Sequence, residues 1–218
     1  MRSAVKVWVK KFIETVGALI GTLAVITQFA VSMPAFRDKG METVGALLQF
    51  FSFFTILTNI ALVIFYLAAR FEWNSRPGLR LRAPEWQTAM ALYITIVGLV
   101  YFAVLKDIWD PQGIFKVLDI TLHYIAPILF VLYWLFFVWH GQTTYRDALT
   151  WLIPGLFYVI CVLVRGAITG LYPYPFIDIG VIGIMMTLRN VAFLLLIFFL
   201  LGAVFVTIDH LVARLRAR

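Results

Sequence analysis

Long apolar stretches separated by short polar connections dominate the pattern of the chain. A helix of roughly 20 apolar residues is long enough to cross about 30 Å of bilayer hydrocarbon. The sequence predicts six such helices, near residues 13–33, 44–68, 86–105, 117–139, 148–168 and 180–208. We therefore expect an all-α protein, in which residues 1–218 form a single domain that is an integral membrane bundle of six transmembrane helices.

Composition supports this expectation and excludes a soluble domain. Of the 218 residues, 63% are hydrophobic and only 13% are charged, and the mean hydropathy is +0.95. A folded soluble domain of this size cannot hide so much apolar surface from water. Cys161 is the only cysteine, which excludes an internal disulfide and a cysteine-based metal cluster.

The basic residues concentrate on one side of the predicted bundle. Connections on the opposite side hold four bases, mixed with acidic residues. The positive-inside rule then predicts a cell membrane protein, plasma or inner membrane, with both termini cytoplasmic. The net charge of +7 could suggest that the protein binds nucleic acid. The distribution of lysines and arginines argues against this, because they lie at helix ends. The twelve bases of the predicted cytoplasmic side are Arg2, Lys6, Lys10, Lys11, Arg70, Arg76, Arg80, Arg82, Arg146, Arg214, Arg216 and Arg218.

The second predicted helix carries a polar stripe on a phenylalanine-rich background. Gln49, Ser52, Thr55 and Asn59 recur every three or four residues, which places them on one helical face. Such a stripe faces protein or a cavity rather than lipid. Taken alone, it favours hydrogen bonding between helices over chemistry.

The fourth predicted helix places Asp119, His123 and Pro127 on one face, each four residues apart. His123 is the one histidine well inside a predicted span, and Asp119 is positioned to orient its ring. Pro127 lacks the N–H that would bond the His123 carbonyl, which loosens the helix there. A structural His–Asp pair at the outer end of the helix is an equally open interpretation.

The remaining polar residues of the spans fall in the outer half of the bundle. Arg165 ends the fifth predicted helix, Tyr174 and Asp178 follow it, and Arg189 lies within the sixth. Since Thr55 and His123 fall at similar depth, we expect one polar cavity that opens toward the outer leaflet or the outer aqueous phase. Asp119 and Asp178 are the candidate counter-ions of the two arginines.

The chemistry open to such a cavity is nucleophilic acyl transfer. Thr55 would attack, His123 would take its proton, and Asp119 would orient the imidazole. One deep histidine, without a second four residues away or a cysteine partner, predicts no metal site and no bis-histidine haem. Glycine patterns typical of nucleotide sites are absent from the sequence. We expect no cofactor.

Three segments carry a family resemblance that covers nearly the whole chain. They are "FFSFFTILTNI" (50–60), "ITLHYIAPI" (120–128) and "RGAITGLYPYPFID" (165–178). In these the chain resembles the bacterial Pr6Pr family of six-span membrane proteins and, more distantly, the eukaryotic androgen-induced and androgen-dependent proteins of the FAR-17a type. It departs from the eukaryotic pattern after the histidine, where Tyr124 and Ile125 replace threonines.

The resemblance implies a hydrolase. The eukaryotic proteins are threonine hydrolases that cleave fatty acid esters of hydroxy fatty acids. Their nucleophile matches Thr55 and their histidine matches His123, while Asn59, Asp119, Arg165, Tyr174, Asp178 and Arg189 are expected to support the site or bind substrate. Membrane lipids are then both environment and substrate. The alternative is a non-catalytic protein that binds or transports a lipid or small molecule, with Arg165 and Arg189 holding an anionic group.

Overall fold

Residues 2–217, the part of the chain that the computed structural model describes, form ten α-helices and contain no strand. The first five are α1 (Arg2–Asp38), α2 (Thr43–Phe50), α3 (Phe54–Arg70), α4 (Arg76–Leu81) and α5 (Pro84–Val100). The second five are α6 (Ile114–Ile120), α7 (Ala126–Phe137), α8 (Tyr145–Thr150), α9 (Leu152–Thr169) and α10 (Ile179–Arg216). The all-helical prediction is confirmed.

Five helical segments are long and apolar enough to cross a membrane, and a bent pair makes a sixth if it is counted as one span. Two of the five are single elements, α1 and α10, although α10 is kinked near its start. The others join neighbouring elements: Pro84–Leu105, Ile114–Phe137 and Tyr145–Thr169. Several helices of this multi-pass bundle contain a break, a π-helical turn or a kink. These local departures from a regular helix position the candidate site.

The second predicted span is not one continuous helix. α2 ends at Phe50, α3 begins at Phe54, and the two axes meet at 71°. At the break, Phe53 adopts an extended backbone, with φ −78° and ψ 121°. The polar stripe of the sequence is therefore split, because Gln49 and Ser52 precede the turn of the chain and Thr55 follows it.

Two other spans contain single π-helical turns, Tyr101–Leu105 after α5 and Thr121–Ile125 between α6 and α7. The second turn lies immediately before Pro127, whose missing N–H leaves the local helical hydrogen bonding incomplete. π-Helical turns of this kind frequently mark functional sites in helices. His123 lies in the middle of the second turn.

The long sixth predicted span also has an irregular start. Gly183 takes φ 76° and ψ 160°, a conformation open to glycine and strained for other residues. It separates a first turn, beginning at Ile179, from the apolar body of α10. The break at Gly183 leaves residues 179–182 as a separate turn, whereas residues 184–188 are continuous with the apolar body of α10.

An aromatic core fills one half of the bundle. Fully buried side chains from α3, α5, α7 and α10 meet there, among them Phe65, Leu92, Trp134 and Val206. α1 packs closely against α3, because Gly17 leaves space for the ring of Tyr66 and Gly21 for Val63. This half is densely packed, so the open space of the protein lies in the other half.

The N-terminal part of α1 and the C-terminal part of α10 both lie at this packed end. Tyr133 near the end of α7 donates to Glu14 of α1 (2.9 Å), and Arg216 donates to the carbonyl of Val138 (3.0 Å). Lys11 also pairs with Glu72 at 2.6 Å, and this hydrogen bond lowers the pKa of the exposed Glu72 carboxyl.

Candidate functional site

Thr55 lies in the first turn of α3, directly after the break in the second span. Leu57 donates the first hydrogen bond of the helix, to the carbonyl of Phe53 (3.2 Å). The N–H groups of Phe54, Thr55 and Ile56 therefore have no partner within α3. A hydroxyl at this place is surrounded by the positive end of the helix dipole.

Side chains of α9 hold the break in its bent form. Arg165 donates to the side chains of Gln49 and Ser52, and Tyr158 donates to the Ser52 carbonyl at 2.7 Å. Non-helical backbone at membrane depth persists only where its polar groups find partners in the protein. Arg165 and Tyr158 supply those partners, so α9 positions the start of α3 and with it Thr55.

His123 faces Thr55 across the space between α3 and the second π-helical turn. Its Nε2 lies 3.2 Å from the Thr55 hydroxyl oxygen. The other ring nitrogen, Nδ1, lies 3.1 Å from the Asp119 carboxylate and 3.1 Å from the Asp119 carbonyl. Two acceptors at Nδ1 favour the tautomer that carries its proton there, which leaves Nε2 free to accept the proton of Thr55.

Tyr101 completes this row of side chains and was missed by the sequence interpretation. Its hydroxyl donates to the second oxygen of Asp119, and its ring stacks on His123 with centroids 4.1 Å apart and planes at 19°. Tyr101 opens the first π-helical turn, so its side chain is turned off the regular path of α5. No spacing in the sequence links it to the fourth predicted helix.

A close approach between helices brings His123 to this position. A Cβ on Gly98 would lie 3.1 Å from the His123 carbonyl, tighter than ordinary van der Waals contact. Asn59 bonds the carbonyls of Thr55 (2.9 Å) and Leu122 (3.3 Å) with its side-chain amide. It thereby ties α3 to the helix segment that carries His123.

The segment "YPYPF" turns inward as well as capping the bundle. The Tyr174 ring stacks on Phe176 (5.2 Å, 5°) and meets Phe53 edge to face (5.9 Å). Its hydroxyl lies close to the Thr55 side chain and to the backbone at the start of α3. The sequence predicted that Tyr174 supports the site or binds substrate, and the structure has its phenol beside the candidate nucleophile.

Tyr172, the other tyrosine of this segment, lies against α9. Its ring packs on α9 at Gly166, where no Cβ would fit. It is half-buried rather than directed outward. The two tyrosines of the motif therefore have different surroundings, which makes them useful as a matched pair.

A cavity of about 560 Å³, the large cavity, opens beside Thr55 and His123. Its walls are mostly apolar, and its polar groups gather at the Thr55 end and along α1. Space of this kind suits a hydrophobic ligand that presents one polar group for chemistry. Residues that line it include Gln28, Ser32, Phe36, Lys39, Phe53, Thr55, Tyr101, Asp119, His123 and Tyr174.

Four of the expected polar residues do not line the large cavity: Asn59, which ties two helices together, and Arg165, Asp178 and Arg189. Arg165 is turned toward α2, Asp178 caps α10 by accepting from Gly180 N–H (2.9 Å), and Arg189 is exposed on α10. Within residues 2–217, the ion pairs do not join either arginine to Asp119 or Asp178. The counter-ion prediction is therefore wrong, because both aspartates already have other partners.

Comparisons with family models, with curated proteins and with solved structures find no match to this chain. The site is interpreted from its own geometry. A hydroxyl, an imidazole and a carboxylate lie in hydrogen-bonded order, next to an apolar cavity and the first turn of a helix. This order is the one that acyl transfer through a hydroxyl nucleophile requires.

Proposed function

We propose that the protein is an intramembrane, threonine-dependent hydrolase of lipid esters. The observation that carries the proposal is the 3.2 Å separation of the Thr55 hydroxyl and His123 Nε2 at the wall of the large cavity. This separation is short enough for direct proton transfer. The Asp119 carboxylate behind Nδ1 stabilises the charge that His123 acquires when it takes the proton.

The reaction proceeds in two halves. The Thr55 oxygen attacks the ester carbonyl while His123 takes its proton, and His123 then returns that proton to the departing alcohol. Water, deprotonated by His123, cleaves the acyl-threonine and releases the fatty acid. The donors that would stabilise the negative oxygen in both halves are the first-turn N–H groups of α3 and the neighbouring Tyr174 hydroxyl.

The surroundings of the site support a lipid as the substrate. The large cavity is mostly apolar, and the helices around it are long and apolar enough to cross a membrane. Resemblance to the Pr6Pr and FAR-17a proteins points in the same direction, to fatty acid esters of hydroxy fatty acids or related esters. We place the site in the outer half of the cell membrane, with both termini cytoplasmic, as the distribution of basic residues favours.

The alternative of a non-catalytic binder for an anionic molecule has less support. It requires Arg165 and Arg189 to hold the anion. Arg165 instead donates to Gln49 and Ser52, and Arg189 is exposed away from the large cavity. The two guanidinium groups therefore do not form a shared site for an anionic molecule.

Hydrolysis of a panel of lipid esters by the purified protein in lipid nanodiscs tests the proposal. We expect turnover by the wild type, and loss to background in Thr55→Ala and His123→Ala. Thr58→Ala is the matched control, because Thr58 lies on the same helix, is equally buried and bonds only the Phe54 carbonyl. An intact-mass increase of one acyl group, localised to Thr55 after brief mixing, would identify the intermediate.

Equal turnover in the wild type and in Thr55→Ala would exclude the threonine mechanism. A lipid that copurifies and remains uncleaved, with no acyl adduct on Thr55, would favour the binder instead. Sidedness has its own test: protease-cleavable tags on both termini should be cut in inverted vesicles and protected in right-side-out ones.

A further inference from the structure

A second cavity adjoins Thr55 on the side away from His123. This small cavity of about 90 Å³ lies between α5, α9 and α10. Its walls are apolar, apart from Thr55 and the hydroxyl groups of Tyr158 and Tyr174. They include Ile96, Val100, Gly155, Val191, Leu195 and Phe198.

Thr55 lies at the boundary between the two cavities. Three residues border both of them: Thr55, Leu105 and Tyr174. An ester carbonyl bonded to the Thr55 oxygen would therefore have one substituent on each side. The two spaces differ about sixfold in volume, at about 560 and 90 Å³, so the two substituents are not interchangeable.

His123 decides which substituent occupies which space. It lines the large cavity and not the small one, and so does Asp119. The departing alcohol oxygen must be within reach of the imidazole that gives it a proton. The alcohol part of the ester therefore has to lie on the His123 side, and the acyl part on the other.

We infer that the large cavity holds the alcohol part of the ester and the small cavity holds the acyl chain. The substrate class is then a related ester, with a bulky lipid alcohol and with a short acyl group in place of the long fatty acyl chain of fatty acid esters of hydroxy fatty acids. This inference rests on the proposed function, since it assigns the two sides of the same Thr55-centred reaction. In that reaction the Thr55–acyl bond forms, the ester C–O bond breaks, and the alcohol leaves with the proton from His123.

Gly155 is a residue of the small cavity at which a larger side chain can be introduced. A Cβ at this position would meet the Phe198 ring at 3.5 Å, an ordinary contact, so alanine fits without displacing a neighbour. Valine would extend further into the small cavity. The same substitutions leave the large cavity untouched, because Gly155 does not line it.

The experiment measures hydrolysis of two series of esters by the wild type and by variants of each cavity. One series lengthens the acyl chain on p-nitrophenol from acetyl to butanoyl, octanoyl and dodecanoyl. The other keeps the acetyl group and lengthens the alcohol from ethanol to dodecanol. In the wild type we expect kcat/KM to fall at least about tenfold along the acyl series, because the small cavity has no room for the longer chains, and not along the alcohol series.

Variants in the wall of one cavity should change the preference for only one part of the ester. We expect Gly155→Val to lower kcat/KM further for octanoyl than for acetyl, with Gly155→Ala giving a smaller shift in the same direction. Ala35→Phe, in the wall of the large cavity, should instead penalise the long alcohols. Gly45→Ala is the control, since nothing lies within 4 Å of the added methyl group.

The outcomes distinguish this inference from the proposed function. Absence of Thr55-dependent hydrolysis for every ester would overturn the proposed function and the inference with it. Thr55-dependent hydrolysis that is insensitive to acyl length, or a Gly155→Val penalty on the alcohol series, would overturn the inference alone.

Discussion

At the scale of single residues, the candidate site is a row of hydrogen bonds that runs from Thr55 through His123 and Asp119 to Tyr101. Each member has its orientation fixed by the next, and the row is shielded by the stacked Tyr101 and His123 rings. In a site of low dielectric constant, such a network holds its geometry before the substrate arrives. Preorganisation of this kind is what makes a weak nucleophile such as threonine usable.

Asp119→Asn tests the carboxylate in this row. His123 keeps its proton on Nδ1, because the Asp119 carbonyl still accepts it at 3.1 Å. The lost interaction is the stabilisation of the charged imidazole, so we expect kcat to fall by about a hundredfold, the low end for general acid–base catalysis. Steady-state kinetics on the best ester measures this, and an unchanged kcat would remove Asp119 from the mechanism.

Tyr174→Phe tests the phenol beside the nucleophile. The substitution keeps the ring that stacks on Phe176 and removes only the hydroxyl that faces Thr55. If this hydroxyl stabilises the developing oxyanion, kcat falls by about a hundredfold and KM changes little. Tyr172→Phe serves as the control, and equal losses in the two variants would contradict the assignment.

At the scale of elements, the broken second span sets the geometry of the site. The 71° bend between α2 and α3 exposes the first turn of α3, with Thr55 in it, to the large cavity. A straight helix would engage the N–H groups of Phe54 and Thr55 in its own hydrogen bonds. Arg165 and Tyr158 of α9 hold the break through their hydrogen bonds. The fifth predicted span therefore fixes the bend of the second.

Arg165→Lys tests this control. A lysine has the same charge but cannot place two donors in the fixed fork that reaches both Gln49 and Ser52. We expect lower thermal stability in detergent and a fall in kcat of about tenfold or more, with KM nearly constant, because Thr55 moves relative to His123. If KM rises while kcat holds, Arg165 binds substrate directly and the positioning role is wrong.

At the scale of the whole molecule, the two halves of the bundle have different tasks. The site half contains both cavities, whereas the packed half is closed by an aromatic core and a polar clamp. In this clamp Asp209 of α10 accepts from His140 Nδ1 (2.9 Å), from the N–H groups of Gln142 and Thr143 (each 3.1 Å) and from the Thr143 hydroxyl (2.8 Å). The buried carboxylate fastens α10 to the connection between α7 and α8.

Asp209→Ala tests the clamp. It leaves several buried donors without an acceptor, for which we expect a loss of about 3–5 kcal/mol in stability. Asp147→Ala is the matched control, since it removes only the cap of the short helix α8 at a cost of about 1 kcal/mol. Thermal unfolding in detergent compares them, and equal shifts in Tm would contradict a central role for Asp209.

The sequence by itself determined the class of protein and most of its helices. In a membrane, apolar stretches of sufficient length become helices because the backbone must bond to itself, and length and composition alone reveal this. The sequence also identified Thr55, His123 and Asp119 as candidates. Polar residues are costly within spans, so the few that occur there are conspicuous.

Tertiary structure decided how these residues meet. The break before Thr55 depends on donors from Arg165 and Tyr158, which lie more than a hundred residues further along the chain. Tyr101 and Tyr174 belong to other elements, and no local spacing relates them to Thr55. Helical periodicity assigns residues to a face of one helix, but bends, π-helical turns and close helix contacts determine what that face meets. That is why the spans were predictable and the geometry of the site was not.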